Sequence, residues 1–154
     1  MIAVRSLSHT YDGNRALSLP QWEAAPGSRW LVLGPSGCGK TTLLHVLAGL
    51  IRPAEGEVSV DGIELHNLKN SEIDAWRGTA VGIVLQALHL VPHLSVRDNL
   101  RLAQYLARAP QSDAGAGEAL AALGVADKAA RRPHELSQGE QQRVASARAV
   151  VNGP

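Results

Sequence analysis

Trp30-Leu31-Val32-Leu33-Gly34-Pro35-Ser36-Gly37-Cys38-Gly39-Lys40-Thr41-Thr42 is the stretch from which the rest of the chain is read. Four apolar residues lead into a glycine-rich loop, the pattern of a buried parallel strand with a turn behind it. Beyond the loop, Leu43, Val46, Leu47 and Leu50 recur at helical spacing, and Arg52-Pro53 closes that helix because proline cannot continue it. Gly34-x-x-x-x-Gly39-Lys40-Thr41 is therefore a complete phosphate-loop pattern in a strand–loop–helix setting. The glycines let the backbone turn tightly and bring its N–H groups against phosphate oxygens. A helix starting near Gly39 adds the positive end of its dipole at the same place. Lys40 supplies a point charge for terminal phosphates, and the Thr41 hydroxyl is placed to ligate magnesium. The residues expected to hold phosphate are Gly34, Pro35, Ser36, Gly37, Cys38, Gly39, Lys40, Thr41 and Thr42. Cys38 is the only cysteine, and bound nucleotide should shield it from alkylation.

Outward from the loop, residues 2–11 and 55–65 read as strands, the second turning at Asp61-Gly62 before Ile63 and Leu65. Val81-Gly82-Ile83-Val84-Leu85 reads as a second buried strand leading into Gln86. From Ser95, a candidate N-cap, the pattern becomes helical: Leu100, Leu102, Tyr105 and Leu106 mark one helix, and Ala119–Leu123, closed by Gly124, another. Residues 111–117 read as a polar, glycine-containing connector. The expected organisation is a β and α/β nucleotide-binding part over residues 1–86, a helical part over 87–136, and a helix over 137–154 returning to the core.

Composition sets outer bounds. A chain of 154 residues is about one domain. Its net charge of +1 gives no sign of the basic face that nucleic-acid binding needs. With three Trp, two Tyr and no Phe, the core must come from Leu, Val, Ile and Ala. A single cysteine excludes an internal disulfide and a cysteine zinc site. The N-terminus lacks a basic start followed by an apolar stretch, so no signal peptide is read there. No run approaches the roughly 18 apolar residues of a bilayer span. His89 and His93 are separated by Pro92, which breaks the helix that would align them as metal ligands.

A phosphate loop alone does not separate kinases, GTPases, helicases and transport ATPases. Leu136-Ser137-Gln138-Gly139-Glu140-Gln141-Gln142-Arg143-Val144-Ala145 does. It closely resembles the signature of ATP-binding cassette (ABC) ATPases, whose common form has two glycines after the serine. Gln138 stands in the first glycine position and Glu140 where glutamine is frequent, while Ser137 and Gly139 are kept. A purely local reading, Ser137 as N-cap with Glu140 completing a capping box, holds alongside it.

The resemblance implies an α/β P-loop NTPase cassette: an antiparallel β subdomain, an incomplete parallel-sheet core, and a helical subdomain. It implies that Ser137, Gln138, Gly139 and Glu140 meet the terminal phosphate held by a second subunit. It gives Gln86 the Q-loop role, reaching magnesium and the attacking water, and Tyr11 the role of the aromatic that stacks on adenine. Thr41 and Gln86 become the magnesium contacts, with ATP and Mg2+ as cofactors. The implied partners are a second ABC cassette, as a homodimer in the intact protein, and integral-membrane permease subunits, with no nucleic acid. The implied location is cytoplasmic, peripheral on the inner face of the cell membrane. Lys40 and Ser137 lie 97 positions apart, too few for the coiled-coil insert of chromosome-maintenance ATPases. The run from Gln86 to Leu100 is similar to exporters of the lipoprotein-release and macrolide-efflux type.

In that family an apolar strand ending in Asp-Glu follows the signature helix, and a switch histidine comes later. Neither can be located here, so no catalytic residue is assigned. The expectation is an N-terminal fragment that holds ATP without hydrolysing it, with Trp30–Leu33 left as an unpaired apolar edge. Steady-state ATPase by the 154-residue chain, well above a Lys40→Ala control, would refute this. Two other classes compete: a soluble P-loop phosphotransferase, in which 136–143 is coincidence, and a non-catalytic regulatory module that binds a full-length cassette.

Overall fold

Alternating residues at the start of the chain form β1 (Ile2–Tyr11), which pairs antiparallel with β2 (Asn14–Ala24) across a tight Asp12-Gly13 turn. On its other side β1 pairs antiparallel with β3 (Glu55–Val60), and the Asp61-Gly62 turn leads into the short β4 (Ile63–Glu64). The sheet order is β2-β1-β3-β4. The N-terminal amine makes an ion pair with Asp61, tying the start of β1 to that turn. The sheet buries Val4, Leu7, Leu17 and Val58, with Val46 of α1 (Lys40–Leu47), Leu65 and Ile73 buried in the same unit. Full burial of each such side chain stabilises by about 1.5–3 kcal/mol.

The computed structural model describes residues 1–154 except the side chain of Arg15. It divides into two compact units, Met1–Ile73 and Asp74–Pro154.

The second unit is helical. α2 (Asn70–Ala80) enters it, followed by α3 (Val96–Leu106), α4 (Asp113–Ala122) and α5 (Gln138–Val150). Val96, Leu100, Ala116, Leu120, Val125, Leu136, Val144 and Ala147 form its core. Ser95 caps α3 as expected, its hydroxyl accepting from Asp98 N at 3.1 Å. The start of α3 is also bound from outside, with Val96 N donating to Arg131 O and Arg97 N to Ala129 O. No helix among the described residues is long and apolar enough to cross a membrane.

Three expectations need correction. Trp30–Leu33 forms no strand and lies exposed, Leu31 at 78% and Leu33 at 79%. Val81–Leu85 likewise joins no ladder, and Val84 is exposed. An apolar run becomes a buried strand only when neighbours supply hydrogen bonds and cover both faces, and the described residues offer neither segment a partner. Residues 113–117, read as connector, are the first half of α4. Ser112 overrides the two glycines there: its hydroxyl accepts from Gly115 N at 2.9 Å, while its own N–H donates to the buried Gln104 at 3.2 Å. Tyr105 and Leu106 end α3 as part of the helix they mark, and both are exposed.

Candidate nucleotide-binding site

The phosphate loop runs from Gly34 into α1, and its shape is dictated by close approach. Gly39 takes φ 90°, and a Cβ there would lie 2.2 Å from the Ala16 carbonyl oxygen of β2. Only glycine lets the loop rest against that strand. Gly39 is also the N-cap of α1, and no side chain caps this helix. α3, α4 and α5 are each capped by a serine hydroxyl. The first-turn N–H groups of α1 thus face the loop without a side-chain acceptor, the condition under which a helix start takes an anion. Lys40 curls back over the same loop, its ammonium donating to Gly34 O at 2.8 Å and Pro35 O at 2.6 Å, with Cys38 Sγ at 3.6 Å. Gly34, Pro35, Ser36, Gly37 and Cys38 are all exposed, as is Thr41, whereas Thr42 is buried beneath the helix. In the same compact unit Tyr11 ends β1 with 49% of its surface open, its ring edge-on to His9 at 4.7 Å between centroids.

The remaining candidates belong to the second unit. Ser137 is the N-cap of α5: its hydroxyl accepts from Glu140 N at 3.3 Å and donates to Glu140 Oε2 at 2.8 Å. Ser137 N donates to the same carboxylate oxygen at 2.8 Å, completing the capping box. The Ser137 hydroxyl, then its backbone N–H, hold the Glu140 carboxyl below its ordinary pKa, and the Lys128 ammonium, 3.7 Å away, adds to this. Gln138 and Gly139 stand exposed beside Ser137. Gln86 is exposed at a bend.

Two polar residues of this unit that sequence reasoning passed over hold the segment after Gln86. Asn99, 1% exposed, accepts from Val91 N at 2.7 Å and donates to Val91 O, Leu94 O and Ser95 O. Arg148 near the end of α5 donates to Leu88 O and His89 O, both at 2.6 Å. An asparagine four residues after a serine cap was the available signal for the first. Arg148 carried none beyond its place in Ala147-Arg148-Ala149. No cluster of three or more His, Cys, Asp or Glu side chains able to hold a metal occurs among the described residues.

A glycine loop clamped between a strand and an uncapped helix start, with a lysine folded into its mouth, is the binding element of a P-loop nucleotide-binding protein. Comparison with known proteins extends this. The family described as ABC transporter matches residues 17–154. The lipoprotein-releasing system ATP-binding protein LolD of Bacteroides thetaiotaomicron is 35% identical over 156 aligned positions, covering 100% of this chain and 72% of that protein. The macrolide export ATP-binding/permease protein MacB of Rhodopseudomonas palustris is 42% identical over 130, covering 83% of this chain but 20% of its own length. Among solved structures, the dimeric bacterial ABC transporter cassette MJ0796 superposes with a TM-score of 0.91 at 33% identity, covering 100% of this chain and 71% of that one. A second structure of that cassette, bound to ADP and Pi, agrees equally well. The chain belongs to the ABC transporter family and has the fold of its α/β P-loop ATP-binding cassette.

Proposed function

We propose that this chain binds ATP as the nucleotide-binding element of a transporter, in which binding and hydrolysis drive membrane partners. The observation that carries the reading is the pairing of an uncapped α1 start with the Gly34–Lys40 loop. In this reading the N–H groups of Gly37 to Thr42 and the Lys40 ammonium hold the triphosphate, and Tyr11 stacks on the adenine. The donor set suits a nucleotide: the backbone N–H groups of a loop that glycine at 39 lets rest against β2, one ammonium, and an exposed hydroxyl on Thr41. Magnesium would be held by Thr41 and reached by Gln86, where it would neutralise charge between terminal phosphates.

Ser137, Gln138, Gly139 and Glu140 form the second half of the reading: facing the triphosphate of a second cassette, the Ser137 hydroxyl, which here donates to Glu140 Oε2, would turn to a phosphate oxygen. The relatives LolD and MacB carry export or release functions in their names, and the solved MJ0796 cassette is dimeric. By analogy this chain pairs with a second cassette and with integral-membrane permease subunits, at the inner face of the cell membrane. Residues 1–86, 87–136 and 137–154 then act as nucleotide grip, partner-facing part and signature helix. Calorimetric titration with Mg-ATP tests the first half. Saturable binding that Lys40→Ala weakens at least tenfold is expected, and equal heats from both proteins would overturn the reading.

A further inference from the structure

Helix α5 carries a proposed phosphate contact, Ser137, at one end and an arginine at the other. Eleven positions beyond that serine, Arg148 reaches across the second unit to residues some sixty positions earlier in the chain. Its Nη1 donates to His89 O and its Nη2 to Leu88 O, each at 2.6 Å. Two nitrogens of one planar group on two successive carbonyls form a forked grip, which fixes orientation as well as distance. The arginine is partly buried, and burial pushes its pKa down from the ordinary value. A desolvated guanidinium is retained only where its donors are used. His89 adopts a left-handed backbone, φ 47°, which exposes its carbonyl to the fork and which a non-glycine residue holds only under constraint. One turn further on, Asn152 Nδ2 donates to Gly78 O at 2.9 Å, anchoring the same end of α5 to the end of α2.

These contacts do not belong to the nucleotide grip, to the signature turn, or to the helical core. They bind the segment that starts two residues after Gln86. We propose that Arg148 is a positioning residue that locks the Gln86 segment to α5, so that Gln86 and Ser137 are carried by one rigid body. This rests on the reading above for the roles of Gln86 and Ser137, but the lock is a property of the second unit and is measurable without nucleotide. A bend with no ladder, exposed at Gln86 and Ala87, would otherwise move independently of the helix. With the lock in place, a displacement of the first turn of α5 is transmitted to Gln86 along about 16 Å of helix, at 1.5 Å per residue.

The test is 15N relaxation on the full 154-residue chain, comparing wild type with Arg148→Met and Arg148→Lys. In the wild type the amides of Gln86–Leu90 should show order parameters near the rigid value of about 0.85, and in Arg148→Met they should fall below about 0.6. The amides of Gln138–Val144 should stay rigid in both proteins. Lysine keeps the charge but reaches one carbonyl at a time, so Arg148→Lys should fall between. Unchanged order at 86–90 in Arg148→Met, or loosening of α5 in parallel with it, would overturn the proposal. Should Arg148→Met fail to fold, Arg148→Lys decides alone, and full rigidity in it would refute the forked grip. A second arm adds Mg-ATP against ATP in EDTA. The wild type should show a magnesium-dependent shift of the Gln86 side-chain resonance, and Arg148→Met should lose that shift while its ATP affinity stays within about threefold, since the grip lies on other residues. If the wild type binds no ATP, the functional reading falls, and the order parameters still settle the lock.

Discussion

Replacing Gly39 by alanine, measured against Gly37→Ala as its control, isolates the contact that shapes the loop. Both glycines have positive φ, 90° and 79°. Either alanine therefore meets the left-handed penalty, about 1–2 kcal/mol. They differ in surroundings: a Cβ at Gly37 has nothing within 4 Å, while one at Gly39 lies 2.2 Å from Ala16 O and 3.3 Å from the Ala16 carbonyl carbon. Both atoms are backbone of a paired strand and cannot swing aside. Reaching an ordinary contact needs a retreat of more than roughly 1 Å, and forced overpacking of this kind costs about 1–3 kcal/mol. Gly39→Ala should thus destabilise the first unit by about 1–3 kcal/mol more than Gly37→Ala. Trp22 and Trp30, edge-on at 5.2 Å in that unit, report its urea unfolding by fluorescence once Trp76 is replaced by phenylalanine in all proteins compared. Equal costs for the two alanines would refute the close approach, and with it the reason given for the loop's shape.

Other expectations follow from single contacts. Asn99→Ala leaves Val91 N–H without its acceptor, and a buried unsatisfied group costs about 1–3 kcal/mol; chemical unfolding followed by circular dichroism should show at least that loss. Glu140 has a lowered folded pKa, so its contribution is full above glutamate's ordinary 4.5 and disappears as pH falls through the folded value. The melting-temperature gap between wild type and Glu140→Gln should therefore shrink below about pH 4.5, and a gap constant from pH 7 to pH 3 would contradict the capping-box charge. Leu31 and Leu33 stand open on a segment without a ladder, and an exposed apolar edge favours association. Leu31→Thr with Leu33→Thr should lower the sedimentation-detected oligomer fraction at a fixed concentration, and an unchanged distribution would count against that segment as the contact.

Legibility in the sequence followed how local each cause is. The Asp61-Gly62 turn, the Ser95 cap and the Ser137–Glu140 box are written within four residues, and each forms as the spacing predicts. The phosphate loop was equally plain, because its glycines and lysine are consecutive. β2 and α2 were passed over: β2 follows a tight turn with its leucines spaced by polar residues, and α2 has only Ile73 buried. The two apolar runs at 30–33 and 81–85 were read as strands because hydrophobicity is local, whereas a strand needs a partner. The start of α4 reads as connector because Gly115 and Gly117 weaken the helical pattern, yet the Ser112 hydroxyl caps it and Gln104, eight residues earlier, holds the Ser112 backbone. Arg148 and Asn99 illustrate the same limit, since their partners are carbonyls and amides, which every sequence has everywhere.

Phosphates bound in the loop at the start of α1 would cover Cys38. Cys38 is exposed there, the sole thiol, 3.6 Å from the Lys40 ammonium, so its alkylation rate is a direct gauge. Titrating ATP should slow alkylation saturably in the wild type, and much higher concentrations should be needed in Lys40→Ala. Alkylation that saturating ATP leaves unchanged in the wild type would contradict the claim.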